Sequence, residues 1–258
     1  MSATPVIQVE QAGTIRWLHL NRPERRNAID DRLVAELDGA IAGAAAADDV
    51  EVIVLAGRGR SFCAGADLRH LLAIADLPDG PTRFLSDVSA AVTRLESCPK
   101  PVVAAVHGHV VAGGLELALA CDVVIAAEGT LIGDGHIRNR LLPAAGSSVR
   151  LPRKIGPGLA RHLMLSGELL PAQRFLSSGW VQAVVALDDL HDEATAVSHG
   201  LATMAGPAQR NMKALLNEID GLAPAAGLEA ELRMFAVNWR EAEVATALEA
   251  FLATRAKA

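Results

Sequence analysis

The chain has 258 residues, of which 51% are hydrophobic and 21% charged, so it can bury a large core and does not have the composition of a disordered protein. A formal net charge of −6 without any basic stripe argues against a nucleic-acid partner. No apolar run has the length of a bilayer span, so we expect no membrane partner.

The cysteines and the first residues indicate the compartment. Cys63, Cys98 and Cys121 are an odd number, which is typical of reduced thiols. Residues 1–11 have neither a basic nor an apolar stretch, so we expect no signal peptide. Both features predict a cytoplasmic protein.

The first part of the chain alternates between strand and helix patterns. Residues 6–10 and 14–20 predict a hairpin, and a helix capped by Asp30 or Asp31 follows to about residue 46. Further strands are predicted at 50–55, 62–64, 102–106 and 123–126, and further helices from Asp67, at 81–96 and at 115–120. Because such units with small residues at the corners build sheets with right-handed crossovers, the fold class is α/β.

After about residue 156 the strand signals fade and helical patterns take over. Helices are predicted at 159–165, 171–177, 190–205, 207–216 and 228–251. We therefore expect a core over 1–195 that holds the active site, and a helical C-terminal region over 196–258. That region would pack on its own core or on a neighbouring subunit.

Several motifs with known chemistry are missing. The sequence has no dinucleotide fingerprint, P-loop, His-Glu-x-x-His, Cys-x-x-Cys or Gly-x-Ser-x-Gly motif. His107 and His109 are two residues apart, but no third ligand can be identified. We therefore expect no metal site.

Two segments with small residues carry the strongest chemical signal. They are residues 61–68, Ser-Phe-Cys-Ala-Gly-Ala-Asp-Leu, and residues 107–118, His-Gly-His-Val-Val-Ala-Gly-Gly-Leu-Glu-Leu-Ala. Each places small side chains where a strand turns into a helix, so a ligand carbonyl can approach main-chain N–H groups. Two such groups aimed at one oxygen would form an oxyanion hole. Either segment alone is equally explained by tight strand–helix packing.

Together and in this order, the two corners resemble the crotonase superfamily, the enoyl-CoA hydratase/isomerase family. The resemblance begins with the Asn-Arg-Pro entry at residues 20–28, continues through 141–146 and ends with 248–252. It implies a crotonase-like spiral of ββα units with a C-terminal helical trimerisation region, and a homotrimer or a dimer of trimers. It also implies an acyl-CoA substrate and no cofactor, because coenzyme A is part of the substrate.

The resemblance assigns roles to individual positions. It places the oxyanion-hole N–H groups on Ala66 and Gly113. It assigns contacts with coenzyme A to Arg25, Arg26, Arg60, Ala64, Asp67, Leu68 and Phe251. The arginines supply positive charge for phosphates, and the small residues give access to the main chain.

Glu116 matches the first of two glutamates that typical hydratases use, and we expect it to be catalytic. The helix dipole would lower its pKa, whereas burial among apolar neighbours would raise it, and the sequence leaves this balance open. The alternative role for Glu116 is an acid that stabilises the helix N-terminus.

The second glutamate is replaced by His136. As an imidazolium it could protonate the α-carbon, and as an imidazole it could act as a base, with Asp134 orienting the ring. The alternative is an exposed loop histidine. The polar residues 138–140 suggest an acyl group with a polar or anionic end.

Three functions remain open at this point. The leading one is a lyase that hydrates a 2-enoyl-CoA thioester through a stabilised enolate. The second is a CoA-thioester or carbon–carbon bond hydrolase that uses His136. The third is an inactive acyl-CoA-binding homologue, which would bind acyl-CoA esters without turnover.

Overall fold

A computed structural model describes the backbone of residues 4–255 and the side chains of residues 4–253. Within this range the strands are β1 Ile7–Ala12, β2 Ile15–Leu20, β3 Val52–Gly57, β4 Val102–Val106, β5 His109–Val111, β6 Val123–Ala127, β7 Leu131–Gly133, β8 Leu170–Pro171 and β9 Val181–Val185. The helices are α1 Asp31–Ala46, α2 Leu68–Ala73, α3 Gly80–Glu96, α4 Gly113–Leu119, α5 Ser147–Ile155, α6 Pro157–Ser166, α7 Leu190–Ala202, α8 Pro207–Ile219, α9 Pro224–Glu241 and α10 Val244–Arg255.

The strands form a large and a small sheet. The large sheet has the order β1-β2-β3-β4-β6-β9, parallel except for the β1–β2 hairpin, and the small sheet has the order β5-β7-β8. Successive units contribute one strand to each sheet, β4 with β5 and β6 with β7, before a helix follows. This arrangement confirms the predicted α/β fold of ββα units.

Both faces of the large sheet are covered, which explains why β3 and β4 read as continuous apolar runs. Alternate side chains of the strands point to opposite faces. Leu18, Ile53 and Leu55 pack against α1, α3 and α4 on one face. On the other face, Val52 and Val54 pack against α7.

The prediction that strands end near residue 156 was wrong. β8 and β9 follow it, and β9 extends the parallel sheet beside β6. Only Val181 of β9 is buried, so the strand lacks the apolar run that marks β3 and β4. The predicted helix over 228–251 is two helices, α9 and α10, which separate near Glu243, a residue with a φ of 47°.

The expected division at residue 195 falls inside α7, and it stays a prediction. α7 packs on the sheet, whereas α8, α9 and α10 follow it, with close contacts between α8 and α9. Among the described residues, no helix combines the length and apolar character needed to cross a membrane.

Candidate active site

The entry motif at residues 20–28 forms the scaffold of the first corner. The Arg22 guanidinium lies 2.9 Å from an Asp30 carboxylate oxygen and 3.1 Å from Asp67. Asn27 is fully buried with a φ of 56°, and its side-chain amide donates to three main-chain carbonyls, at residues 58, 61 and 62. Arg22 and Asn27 therefore hold the backbone of this corner in place.

The second corner joins β5 to α4 and contains an unusual backbone conformation. Ala112 has a φ of 51° and a ψ of −117°, a region that glycine occupies far more readily than other residues. Such a conformation costs on the order of 1–3 kcal/mol and is concentrated at functional sites. It directs the chain into Gly113, the first residue of α4.

The two corners touch each other. A Cβ atom on Gly65 would lie 2.9 Å from the Ala112 Cβ and 3.4 Å from the Gly113 nitrogen. A Cβ on Gly113 would lie 3.7 Å from the Ala66 nitrogen. Glycine at both positions therefore allows the Ala66 and Gly113 amides to approach each other.

Neither amide has a partner in the part of the chain that the structure describes. Ala66 N–H and Gly113 N–H donate no hydrogen bond there. Their neighbours are paired, because the Asp67 amide donates to the Ile29 carbonyl at 2.8 Å and the Ala112 amide donates to Gly133 at 3.3 Å. Two adjacent unpaired amides are the donors that an oxyanion hole requires.

Both corners open into one cavity of about 450 Å³. Glu116 and His136 line the same cavity, together with Ala66 and Gly113. The other lining residues are mainly apolar, and they include Ile29, Leu68, Leu71, Leu72, Leu85, Val88, Val111, Leu141 and Leu142. A wider groove of about 580 Å³ lies along α1 and α3, but it has neither corner in its lining.

Glu116 is held in a fixed position in the wall of the cavity. Its side chain is 3% exposed, and its Oε1 accepts hydrogen bonds from the Ala145 amide at 2.8 Å and the Ser147 amide at 3.0 Å. Burial raises the pKa of Glu116, and this effect outweighs the two amides and the nearby His136. The balance that the sequence left open is therefore decided by desolvation.

His136 faces Glu116 from a 3₁₀ turn, His136–Asn139. Its Nε2 lies 4.0 Å from Glu116 Oε2, and its side chain is 10% exposed. Its Nδ1 lies 3.1 Å from Asp134 Oδ2, a close contact in which the N–H does not point straight at the oxygen. The alternative of an exposed loop histidine does not fit this position.

Asp134 is almost fully buried beside the ring. Burial raises its pKa, but contacts with His136 and Ser147 outweigh burial, so the pKa of Asp134 lies below its ordinary value. A buried carboxylate that stays charged can hold an imidazole ring by charge as well as by shape.

The family resemblance included residues 141–146, but sequence reasoning missed that this segment and Ser147 hold Glu116. Ala145 and Ser147 stand at the start of α5, where main-chain N–H groups lack helical partners. Arg150 braces this segment, because it donates to the Ala145 carbonyl at 2.7 Å and pairs with Glu96. The run Gly146-Ser147 before a helical pattern was the signal for it.

Two of the residues assigned to coenzyme A line the cavity, namely Ala64 and Leu68. The Asp67 carboxylate has structural partners, because it accepts from the first amides of α2 and pairs with Arg22. Its contact with coenzyme A stays a prediction.

The remaining assigned residues lie outside the cavity lining. Arg25, Arg26 and Arg60 are exposed, and none of the ion pairs among the described residues involves them. Phe251 lies on α10 and is 55% exposed. Of the polar residues 138–140, only Asn139 lines the cavity, since Arg138 packs beside Gly167.

The two closely spaced histidines have other partners. His107 Nε2 lies 2.9 Å from the Gly59 carbonyl, and His109 Nδ1 lies 3.3 Å from the Ser61 hydroxyl. Within residues 4–253, no group of three or more histidine, cysteine or acidic side chains is arranged to hold a metal ion.

Comparison with known proteins gives a consistent result. The sequence profile of the family described as enoyl-CoA hydratase/isomerase matches residues 10–258. A probable enoyl-CoA hydratase from Rhizobium meliloti is 35% identical over 247 residues, covering 96% of this chain and 95% of its own. The 2,3-dehydroadipyl-CoA hydratase of Escherichia coli is 34% identical over 248 residues, with coverages of 96% and 95%.

Solved structures agree with the sequence matches. The crystal structure of an enoyl-CoA hydratase from Polaromonas superposes with a TM-score of 0.90 at 30% identity, covering 96% of this chain and 97% of the other. That of an enoyl-CoA hydratase from Bacillus anthracis has a TM-score of 0.88 at 30% identity, with 96% of each chain covered.

Proposed function

The chain belongs to the enoyl-CoA hydratase/isomerase family, and from that premise we propose that it adds water to the double bond of a 2-enoyl-CoA thioester. It is an acyl-CoA-processing lyase of the enoyl-CoA hydratase type. The observation that carries the proposal for the site is a single cavity lined by two unpaired amides, a buried glutamate and a histidine. Neither hydrolysis nor mere binding of acyl-CoA is favoured by its relatives.

The thioester oxygen accepts hydrogen bonds from the Ala66 and Gly113 amides. These donors stabilise the negative charge that develops on that oxygen when water adds to the β-carbon. Because they are fixed by the backbone before the substrate arrives, little reorganisation is needed in the transition state. The close contact of Gly65 with Ala112 and Gly113 supports this role.

Glu116 acts as the base and His136 as the acid. Glu116 takes a proton from water while the hydroxyl forms its bond to the β-carbon, and the double-bond electrons move to the thioester oxygen. His136 then protonates the α-carbon of the enolate, which restores the thioester carbonyl. A raised pKa makes Glu116 a stronger base than an exposed glutamate. After the reaction, a proton moves from Glu116 to His136, which returns both groups to their starting protonation states.

The acyl chain lies among the apolar side chains of the cavity. Its lining of leucines and valines supports an apolar acyl group over the polar one that residues 138–140 suggested. Coenzyme A enters as part of the substrate, without a separate cofactor. Its phosphates lie near Arg25, Arg26 and Arg60, whose side chains are exposed.

The C-terminal helices form the contact between subunits of a homotrimer or a dimer of trimers. Their exposed apolar side chains include Leu228, Leu232, Phe235, Trp239, Leu248 and Leu252. Exposed apolar side chains in such number are typical of an interface. A cytoplasmic location agrees with three free and buried cysteines, Cys63, Cys98 and Cys121.

Product analysis tests the proposed reaction. Purified protein is incubated with crotonyl-CoA, with longer 2-enoyl-CoA esters and with an ester that ends in a carboxylate, and the products are identified by mass spectrometry. We expect 3-hydroxyacyl-CoA, with a preference for alkyl chains. Free coenzyme A or a shortened acyl chain would instead establish a hydrolase, and tight binding without turnover would establish an inactive homologue.

A further inference from the structure

Four residues form a ring of contacts that extends from behind the cavity into its wall. Ser147 N–H donates to Glu116 Oε1 at 3.0 Å, and the Ser147 hydroxyl donates to Asp134 Oδ1 at 2.5 Å. Asp134 Oδ2 lies 3.1 Å from His136 Nδ1, and His136 Nε2 lies 4.0 Å from Glu116 Oε2. Ser147 is thus joined to both acid–base groups, to one directly and to the other through Asp134.

The part of the ring formed by Ser147, Asp134 and Glu116 is largely buried. Ser147 is fully buried, Asp134 is 1% exposed and Glu116 is 3% exposed. Hydrogen bonds among buried groups have well-defined geometry, because no water competes for the partners. The two anchors of Ser147 also differ in kind, since one comes from the main chain and the other from the side chain.

We infer that Ser147 is a positioning residue that fixes the distance between Glu116 and His136. This inference rests on the proposed hydration reaction. Without the hydroxyl, Asp134 keeps its charge but loses its only hydrogen-bond donor to Oδ1 among the described residues. The carboxylate is then held only by its contacts with His136, so it can shift together with the His136 ring, while Glu116 keeps both of its amide donors.

A small displacement of the acid–base groups is enough to lower the reaction rate. Reacting groups that are displaced by about 1 Å can lose up to 10²-fold in rate. Ser147 is not itself among the residues that line the cavity, and its main-chain bond to Glu116 remains when the hydroxyl is removed, so the loss of the hydroxyl changes the turnover step rather than binding. We therefore expect Ser147→Ala to lower kcat about 10-fold and to leave KM within about 2-fold.

The test is a double-mutant cycle with Asp134→Asn. If the hydroxyl acts through Asp134, Ser147→Ala lowers kcat in the native background but adds little in the Asp134→Asn background. Equal losses in both backgrounds would show that Ser147 merely supports the fold and would overturn the inference. Ser148→Ala, at the exposed neighbouring serine, is the matched control and should leave kcat unchanged.

A second readout does not depend on activity. The ring ¹H and ¹⁵N resonances of His136 should move in Ser147→Ala and stay in place in Ser148→Ala. If Ser147→Ala does not fold, Ser147→Cys replaces it, because a thiol has the same branching as the hydroxyl but is a weaker hydrogen-bond donor. An unmoved His136 signal overturns the inference. If the proposed function is wrong, the wild-type protein will lack hydratase activity, although the His136 resonances still move in Ser147→Ala.

Discussion

His136 Nε2 and Glu116 Oε2 face each other across 4.0 Å in the wall of the cavity. This distance is too long for a direct hydrogen bond, but one water oxygen placed about 2.8 Å from each atom can contact both. The second oxygen of Glu116 is already occupied by two amides, so Oε2 alone is free to act on that water. The geometry therefore gives the two side chains separate tasks on one reacting centre.

The first prediction concerns His136. Replacing it by glutamine keeps a polar side chain but removes a group that can carry a proton near neutral pH. We expect kcat for hydration to fall about 10²-fold with a smaller change in KM. The measurement is a steady-state assay of crotonyl-CoA across pH 5 to 9. An unchanged rate with an unchanged pH profile would show that His136 moves no proton.

The second prediction concerns the pH dependence of activity. Burial raises the pKa of Glu116, and the proposed base must be deprotonated, so the acid limb of kcat/KM should lie above the ordinary pKa of 4.5 for glutamate. Activity falls as the pH decreases through that raised value. Glu116→Gln should remove most of the activity at every pH. A limb at or below the ordinary glutamate range would contradict the assigned role.

The third prediction concerns stability and the same residue. Because the pKa of Glu116 is higher in the folded than in the unfolded protein, its favourable contribution is present at low pH and is lost as the pH rises through the folded value. Glu116→Gln avoids that loss and can still accept both amide hydrogen bonds. The unfolding free energy of the variant relative to wild type should therefore increase from pH 5 to pH 8. Urea denaturation at both pH values measures it, and an opposite slope would refute the raised pKa.

The sequence predicted much of the fold because local and long-range signals agree in its central strands. β3 and β4 are apolar throughout, since both faces of the sheet are covered, and their boundaries were close. β5, β7 and β8 have only two or three residues each, too few to show any periodicity. Their existence depends on pairing between distant segments, which no local pattern records.

The site was predictable to a similar degree. Ala66, Gly113, Glu116 and His136 were all named from the sequence, and the structure brings them to one cavity. The support behind them was not found, because Ser147 follows Glu116 by 31 positions and meets it only through the tertiary fold. The sign of the Glu116 pKa shift likewise depended on burial, which a single sequence does not determine.

The fourth prediction concerns the second corner. A methyl group on Gly113 would meet Ile29 Cδ1 at 2.9 Å and would lie beside the Ala66 amide. Gly113→Ala should therefore disturb both proposed donors and lower kcat/KM about 100-fold. Gly43→Ala, in α1 with open space around it, is the matched control and should leave activity unchanged with equal or higher stability. Circular dichroism of both variants separates a local effect from unfolding, and full activity of Gly113→Ala would contradict the tight approach of the two corners at the proposed donors.

The fifth prediction concerns assembly. Leu232 is 72% exposed and Phe235 is 59% exposed on α9, and burial of such side chains between subunits would be worth about 1.5–3 kcal/mol each. A charge there would remain desolvated in the interface, so Leu232→Glu combined with Phe235→Glu should dissociate the oligomer into monomers. Leu187→Glu is the control, because Leu187 is 58% exposed outside the C-terminal helices and should tolerate the change. Analytical ultracentrifugation counts the chains directly, with three or six for the wild type. A wild type that sediments as a monomer would show that there is no oligomer. A double variant that keeps the size of the wild type would show that the subunit contact lies elsewhere.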